Sequence, residues 1–326
     1  MDVLDRLTNK AALEQRLQAQ TSSRTIDAEQ FAQALKAKVI GQNEVCDDVA
    51  AQIRRRLALE QRGKPVGVFL FAGPPGTGKT YLAKKMGDYL ERKLLHFDMT
   101  QFADAHAASQ LFGSPKGYVG SNSYGKLTGG LRDVPDAIVL LDEIEKANPE
   151  VFKKFLTAWN DGFITEASDG KQISTAKAIF VLTSNAAVDA LADLSKQYAG
   201  QPDELRRAST NALKEAGFAP EVLNRIDRIF VFNALQGLDV ARVAALEIEA
   251  MIRSYGLEVA EGGIDVNLLY GVMERQDKLG NAASSRDLTR SIEETIADSL
   301  IDAKSRGAKR VRLVHDGSTT RAETAE

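Results

Sequence analysis

Apolar residues along the chain fall into two textures. Between about residues 66 and 233, short continuous apolar runs alternate with amphipathic stretches. Strands are expected over 66–72, 94–98, 137–141, 178–183 and 226–232, with helices over 79–90, 149–160 and between 184 and 216. Runs that are apolar throughout suit strands buried on both faces, and helices between them suit a parallel sheet covered on both sides. After Asn233 the strands nearly stop. Residues 238–255, 265–276 and 285–303 carry helical spacing, closed by one short strand at 310–314. The expected fold class is therefore α/β: a parallel-sheet domain with helices on both faces over 39–233, then a small, mainly helical domain over 234–318.

The ends read differently. Leu4, Leu7, Leu13 and Leu17 are spaced as on a helix within an otherwise polar stretch, which Thr21, Ser22 and Ser23 punctuate. Asp27 with Gln30 three positions on resembles a capping box opening a helix to about Lys38. A second helix is expected over 42–61. Residues 1–25 thus read as a loosely attached helical stretch, the helical arm as a whole is expected over 1–38, and 319–326 is expected to be a frayed tail.

Charge changes this picture little. Lys+Arg 42 against Asp+Glu 45 gives a net charge of -3, unlike the strongly basic surface of proteins that coat nucleic acid, so no nucleic-acid partner is expected. Cys46 is the single cysteine; it cannot close an internal disulfide and reads as a small buried side chain. Asp2, Asp5 and Arg6 interrupt any signal-peptide pattern. The apolar runs fall far short of the ~18 residues that span a bilayer. A cytoplasmic protein without a membrane partner is expected.

The chemistry starts at Gly73, Pro74, Pro75, Gly76, Thr77, Gly78, Lys79 and Thr80, which fit G-x-x-x-x-G-K-[ST] between an apolar strand and a helix. Glycines let the backbone curl so that successive N–H groups face phosphate oxygens, and the helix N-terminus adds its dipole. Lys79 is expected on the β- and γ-phosphates and Thr80 on Mg²⁺. The run Ile138-Val139-Leu140-Leu141 ends in Asp142 and Glu143. Asp142 leaves a buried strand at its C-terminal end, where α/β folds place ligands, and is expected to hold Mg²⁺ through water. Glu143 is expected to polarise the attacking water as general base. A P-loop of this kind also serves small-molecule kinases and GTPases.

Further segments narrow the choice. VIGQ at 39–42, GPPGTGKT at 73–80, FDMTQF at 97–102, GSPKGYVG at 113–120, LLDEIEKANPEVF at 140–152, LTSNA at 182–186 and FAPEVLNRID at 218–227 resemble the Clp family of AAA+ unfoldases, in particular the second ATPase module of its ClpA, ClpB and ClpC members. The resemblance covers most of the chain, from about 39 to 290, in the family's order. It implies an AAA+ ATPase domain followed by a C-terminal lid domain, ATP and Mg²⁺ as cofactors, and a homo-hexameric ring that threads polypeptide through its pore. It adds Val39 and Ile40 to the nucleotide-binding residues. Asn185 matches the polar sensor that orients the hydrolytic water, and Arg225 the arginine finger that reaches the neighbouring subunit's γ-phosphate. Arg286 matches the second sensor arginine, although the chain reads Ser284-Ser285-Arg286-Asp287-Leu288 where the family has Gly-Ala-Arg-Pro-Leu; Arg290 on the same helix face is the alternative.

Lys116, Gly117, Tyr118, Val119 and Gly120 match the pore loop whose aromatic grips an extended polypeptide. Lys116 stands where the family often has Pro, and Ser121, Asn122, Ser123 and Tyr124 replace a commonly acidic stretch. The segment 161–171 resembles the hairpin of a second pore loop, with lower contacts expected at 167–171. Between 186 and 218, where protease-docking members carry Ile-Gly-Phe or Ile-Gly-Leu, this chain has Tyr198-Ala199-Gly200-Gln201-Pro202. Coupling to a Clp-type peptidase is not expected. Client choice is assigned to residues 1–38 or to an adaptor protein. An AAA+ ATPase serving nucleic-acid transactions and a nucleotide-switched assembly scaffold are the alternatives.

Overall fold

The computed structural model describes residues 26–59, 63–118, 123–279, 285–317 and 319–325. Helices α1 (Ala28–Lys36) and α2 (Asn43–Leu57) precede the first strand, β1 (Gly67–Ala72). Then come α3 (Lys79–Leu90), β2 (Leu94–Asp98), the short α4 (Ala108–Phe112), α5 (Lys126–Asp133), β3 (Ile138–Asp142) and α6 (Pro149–Asp161). A two-stranded antiparallel hairpin, β4 (Phe163–Thr165) and β5 (Gln172–Ser174), leads into β6 (Ile179–Ser184). Helices α7 (Val188–Gln197), α8 (Pro202–Glu215) and the single turn α9 (Pro220–Leu223) return the chain to β7 (Arg228–Val231). The central sheet has order β2-β3-β6-β1-β7, every pairing parallel.

Alternate residues of one strand face opposite sides of a sheet, and two cores form accordingly. Val68, Leu70, Val139, Leu141, Phe180 and Leu182 pack on one face against Phe112, Phe155 and Trp159. Phe69, Phe71, Ile138, Leu140, Ile179 and Val181 pack on the other against Leu82, Met86, Ile53 and Phe31. The expected α/β class and the parallel sheet are borne out.

C-terminal to the sheet, α10 (Leu238–Ser254), β8 (Glu258–Ile264), α11 (Val266–Leu279), α12 (Ser285–Ser305), β9 (Arg310–His315) and β10 (Thr320–Ala325) build a second unit with its own core around Ile248, Ile252, Leu257, Ile296, Leu300 and Leu313. It is helical with a three-stranded sheet of order β10-β9-β8.

One expectation about the ends changes. The tail is not frayed where it is described: β10 pairs antiparallel with β9 from Thr320 to Ala325, and Ala322 N donates to the Ser299 hydroxyl at 2.8 Å. The second part of the arm is packed against the sheet domain. The α1 residues Phe31, Ala32 and Leu35 are buried in the sheet's core, and Phe31 stacks on Tyr89 with ring centroids 4.5 Å apart. One apolar face on a short helix is enough to dock it. The expected helix over 1–25 lies outside the described residues. Among the described residues no helix is long and apolar enough to cross a membrane.

Candidate active site

The loop leaving β1 turns through Gly73, Gly76 and Gly78, at φ 149, 75 and 94, a region that glycine enters without a Cβ penalty. At Gly73 a Cβ would also overlap the carbonyl of Phe232. The Thr77 hydroxyl closes the loop on Pro74 O at 2.8 Å, and Lys79 opens α3 beneath it. Lys79 Nζ donates to Gly73 O at 2.8 Å, Pro74 O at 2.6 Å and Asn185 Oδ1 at 2.9 Å. Burial pushes its ammonium down to about 8, against the opposing pull of the Asp142, Glu145 and Glu143 carboxylates. A cation so placed is held by neutral carbonyls that give it no countercharge, and a phosphate offers it one.

The C-terminal ends of β3 and β6 bring the acidic groups alongside. Thr80 Oγ1 donates to Asp142 Oδ1 and Oδ2 at 3.0 and 3.2 Å, a pair of hard oxygen ligands of the kind Mg²⁺ prefers. The Thr183 hydroxyl donates to Asp142 Oδ1 and accepts from Glu143 N at 3.0 Å. Glu143 has φ 56, a left-handed conformation that costs a non-glycine residue of the order of 1 kcal/mol. That turn aims its carboxylate at Asn185, whose Nδ2 donates to Glu143 Oε1 at 3.1 Å. Glu145 Oε1 in turn accepts from Asn185 N at 3.1 Å.

These groups share a cleft of about 440 Å³. Pro75 to Thr80, Asp142, Glu143 and Asn185 line it, as do Val39 and Ile40. Leu235, Val243, Leu246 and Ala250, from the connection to the second unit and from α10, supply an apolar wall. Gly73 and Pro74 bound the loop through the carbonyls that Lys79 engages.

Two expected site groups stand apart, and the side chain of a third lies outside the described residues. Arg225 is exposed, outside the cleft, with no ion pair among the described residues. Arg286 lies in the first turn of α12; its side chain, like that of Arg290, is outside the described residues. Lys116, Gly117 and Tyr118 are exposed and away from the cleft, Tyr118 by 71 %, while Val119 and Gly120 lie outside the described residues. Of the hairpin contacts expected at 167–171, Ser168 is buried and only Asp169, Gly170 and Lys171 are exposed.

Three residues at the site were not singled out by sequence reasoning. Thr183 precedes Asn185 by two positions, so strand periodicity was the available signal. Glu145 follows Glu143 by two. His96 Nε2 sits 3.2 Å from Asp142 Oδ2, and only the β2–β3 register puts it there.

The family model described as AAA domain (Cdc48 subfamily) matches residues 64–229, half of the chain. The chain belongs to that family. The AAA domain also bears out the expected likeness to Clp proteins. The chain is 36 % identical over 299 residues to the chaperone protein ClpB of Streptomyces albus G, covering 90 % of this chain and 33 % of ClpB. It is 36 % identical over 278 residues to the ATP-dependent Clp protease ATP-binding subunit ClpE of Lactococcus lactis, covering 83 % and 36 %. With the ClpC subunit of Staphylococcus saprophyticus it shares 30 % identity over 310 residues, covering 90 % and 37 %. The chain thus spans about a third of the length of the curated relatives it matches.

Proposed function

We propose that this AAA domain is the motor of an ATP-dependent unfoldase or remodeller that works as a homo-hexameric ring and draws polypeptide through its pore. The observation that carries this reading is the pairing of a phosphate cleft with an aromatic held out to solvent. Tyr118 is 71 % exposed and follows Gly117 at φ 91, where a Cβ would meet nothing within 4 Å. An exposed aromatic on a glycine-flanked segment offers a broad face to passing side chains without demanding a sequence. The names of the relatives, chaperones and Clp ATP-binding subunits, support the same reading.

At the cleft, the P-loop amides and Lys79 receive the β- and γ-phosphates, while Val39, Ile40, Leu235 and Leu246 enclose the base. Thr80 and Asp142 would hold Mg²⁺, whose chemistry is to neutralise charge on the phosphates. Glu143 takes the role of general base toward the attacking water, and Asn185, bonded to both Lys79 and Glu143, orients that water. Arg225 reaches a neighbouring subunit's γ-phosphate, and Arg286 acts from the lid formed by residues C-terminal to Asn233. An adaptor, or residues 1–38, selects the client.

Replacing Tyr118 with Ala tests threading. Unfolding of a tagged fluorescent protein is expected to fall by at least about tenfold, with a far smaller change in ATP turnover. Full unfolding activity in that variant would rule the reading out.

A further inference from the structure

The ends of the Tyr118 segment meet at a closed neck. Gly113 and Gly125 are so near each other that a Cβ on Gly125 would overlap Leu111 O and Gly113 N, and one on Gly113 would overlap the Glu166 carboxylate. That carboxylate is buried in the neck. Its Oε2 accepts from Gly125 N at 3.1 Å and from the Thr128 hydroxyl, and its Oε1 accepts from Ser168 N at 2.9 Å. Ala167 N donates to Phe112 O at 2.9 Å. On the outside, Tyr124 Oη donates to Asp169 Oδ2 at 2.5 Å. The hairpin β4–β5 is therefore bonded to both ends of the Tyr118 segment.

The same hairpin lies between the two halves of the hydrolytic site in the chain. Glu143 leads through α6 into β4, and β5 leads through β6 to Asn185. Thr175, just after β5, is fixed to the end of α6 by its hydroxyl on Ala158 O at 2.8 Å and to the hairpin's start by its N–H on Gly162 O at 2.8 Å. Three donors converge on two oxygens, a load that a carboxylate carries and a carboxamide does not, since the amide keeps one acceptor and turns an N–H₂ toward the donors. Leaving buried donors unmatched is costly, so the neck is closed only with the charged residue in place.

We propose that Glu166 is a positioning residue that locks the neck of the Tyr118 segment to the β4–β5 hairpin, so that the substrate-gripping aromatic moves together with the chain between Glu143 and Asn185. This rests on the remodelling reading for what Tyr118 grips; the lock itself does not. In the locked state a change at the hydrolytic site displaces Tyr118. With the neck released, ATP turnover and polypeptide movement separate.

The test uses a nitroxide spin label on Lys116→Cys in the full chain without substrate. Cys46 is fully buried and burial pushes its thiol up to about 11, so labelling is confined to position 116. Glu166→Gln is expected to raise the label's mobility several-fold while circular dichroism shows a folded protein. Thr128→Val, which removes only one donor, is expected to move it part of the way. The double variant should go no further than Glu166→Gln alone, because both act through one contact. In the active protein, Glu166→Gln should also abolish the stimulation of ATP turnover by an unfolded polypeptide. A folded Glu166→Gln protein with the parent spectrum would overturn the proposal. Should that variant fail to fold, an unchanged spectrum in Thr128→Val would overturn it as well. Mobilisation in a protein whose turnover never responds to polypeptide supports the lock and counts against the remodelling reading instead.

Discussion

Lys79 is held in the cleft by two carbonyls and an amide oxygen, and its depressed ammonium has a measurable consequence. Its pKa falls from 10.5 to about 8 on burial, so between those values the unfolded chain binds a proton that the folded chain has shed. Folding stability therefore rises with pH across that window. For ATP the sign is opposite. The phosphates favour the charged amine, so affinity should be flat below pH 8, fall above it by up to about tenfold per unit, and bring proton uptake on binding. Calorimetry in buffers of different ionisation enthalpy checks this. Lys79→Arg, which keeps its charge, should lose the break at pH 8, and a flat ATP affinity to pH 9.5 in the parent protein would contradict the assignment. Lys79, Thr80, Asp142, Glu143 and Asn185 were legible in the sequence because each stands at a fixed offset in a motif with one chemical use. Thr183 and His96 were not, since their contact with Asp142 arises from the register of neighbouring strands rather than from any local spacing.

Among the strands, those that are apolar throughout were read correctly, whereas the polar outer strands of the small sheet were not. β1, β3 and β6 are buried along nearly their whole length, so their sequences are unbroken apolar runs. In the small sheet the central β9 has buried Val311 and Leu313 and was expected, whereas β8 (EVAEGGI) and β10 (TRAETA) are edge strands, mostly exposed and polar. Their pairing depends on partners far away in the chain. Helix α1 shows the same limit: its buried face is three residues wide, too little to distinguish a docked helix from a free arm. Phe31→Ala decides between the two. A docked α1 should lose about 3–5 kcal/mol on removal of that fully buried ring, read as a clear drop in the thermal or denaturant midpoint. An unchanged midpoint would mean that the helix contributes nothing to the core.

At the scale of the whole molecule the cleft lies where the sheet's large unit meets α10. The junction is buttoned by a two-way bond: Gln42 Nε2 donates to Asn233 O at 2.9 Å, and Asn233 N donates to Gln42 Oε1 at 3.3 Å. The VIGQ segment, whose Val39 and Ile40 line the cleft, is thus bonded to the connection between the units, so a ligand in the cleft can bias their relative placement. Arg225 faces outward from the opposite end of the sheet, on a turn fixed by Asp227. That carboxylate accepts from Val68 N at 2.9 Å and pairs with Arg56, and the Arg225 side chain is left exposed, as the proposed contact with a partner's phosphate requires. Mixing tests it: rings of Arg225→Ala subunits and rings of Glu143→Gln subunits should each be nearly inactive, whereas mixed rings should regain ATP turnover, because an intact Glu143 can then sit beside an intact Arg225 from the neighbour. Mixtures as inactive as their parents would argue for a role in cis.

The most direct measurement places a photo-crosslinking phenylalanine analogue at position 118 in the Glu143→Gln background and adds an unfolded polypeptide with ATP. Trapped rings are expected to yield a covalent adduct between residue 118 and the polypeptide, and the yield should collapse when Lys79→Ala removes nucleotide binding. An adduct that forms equally well without nucleotide, or none at all from an assembled ring, would contradict a nucleotide-driven pull by Tyr118.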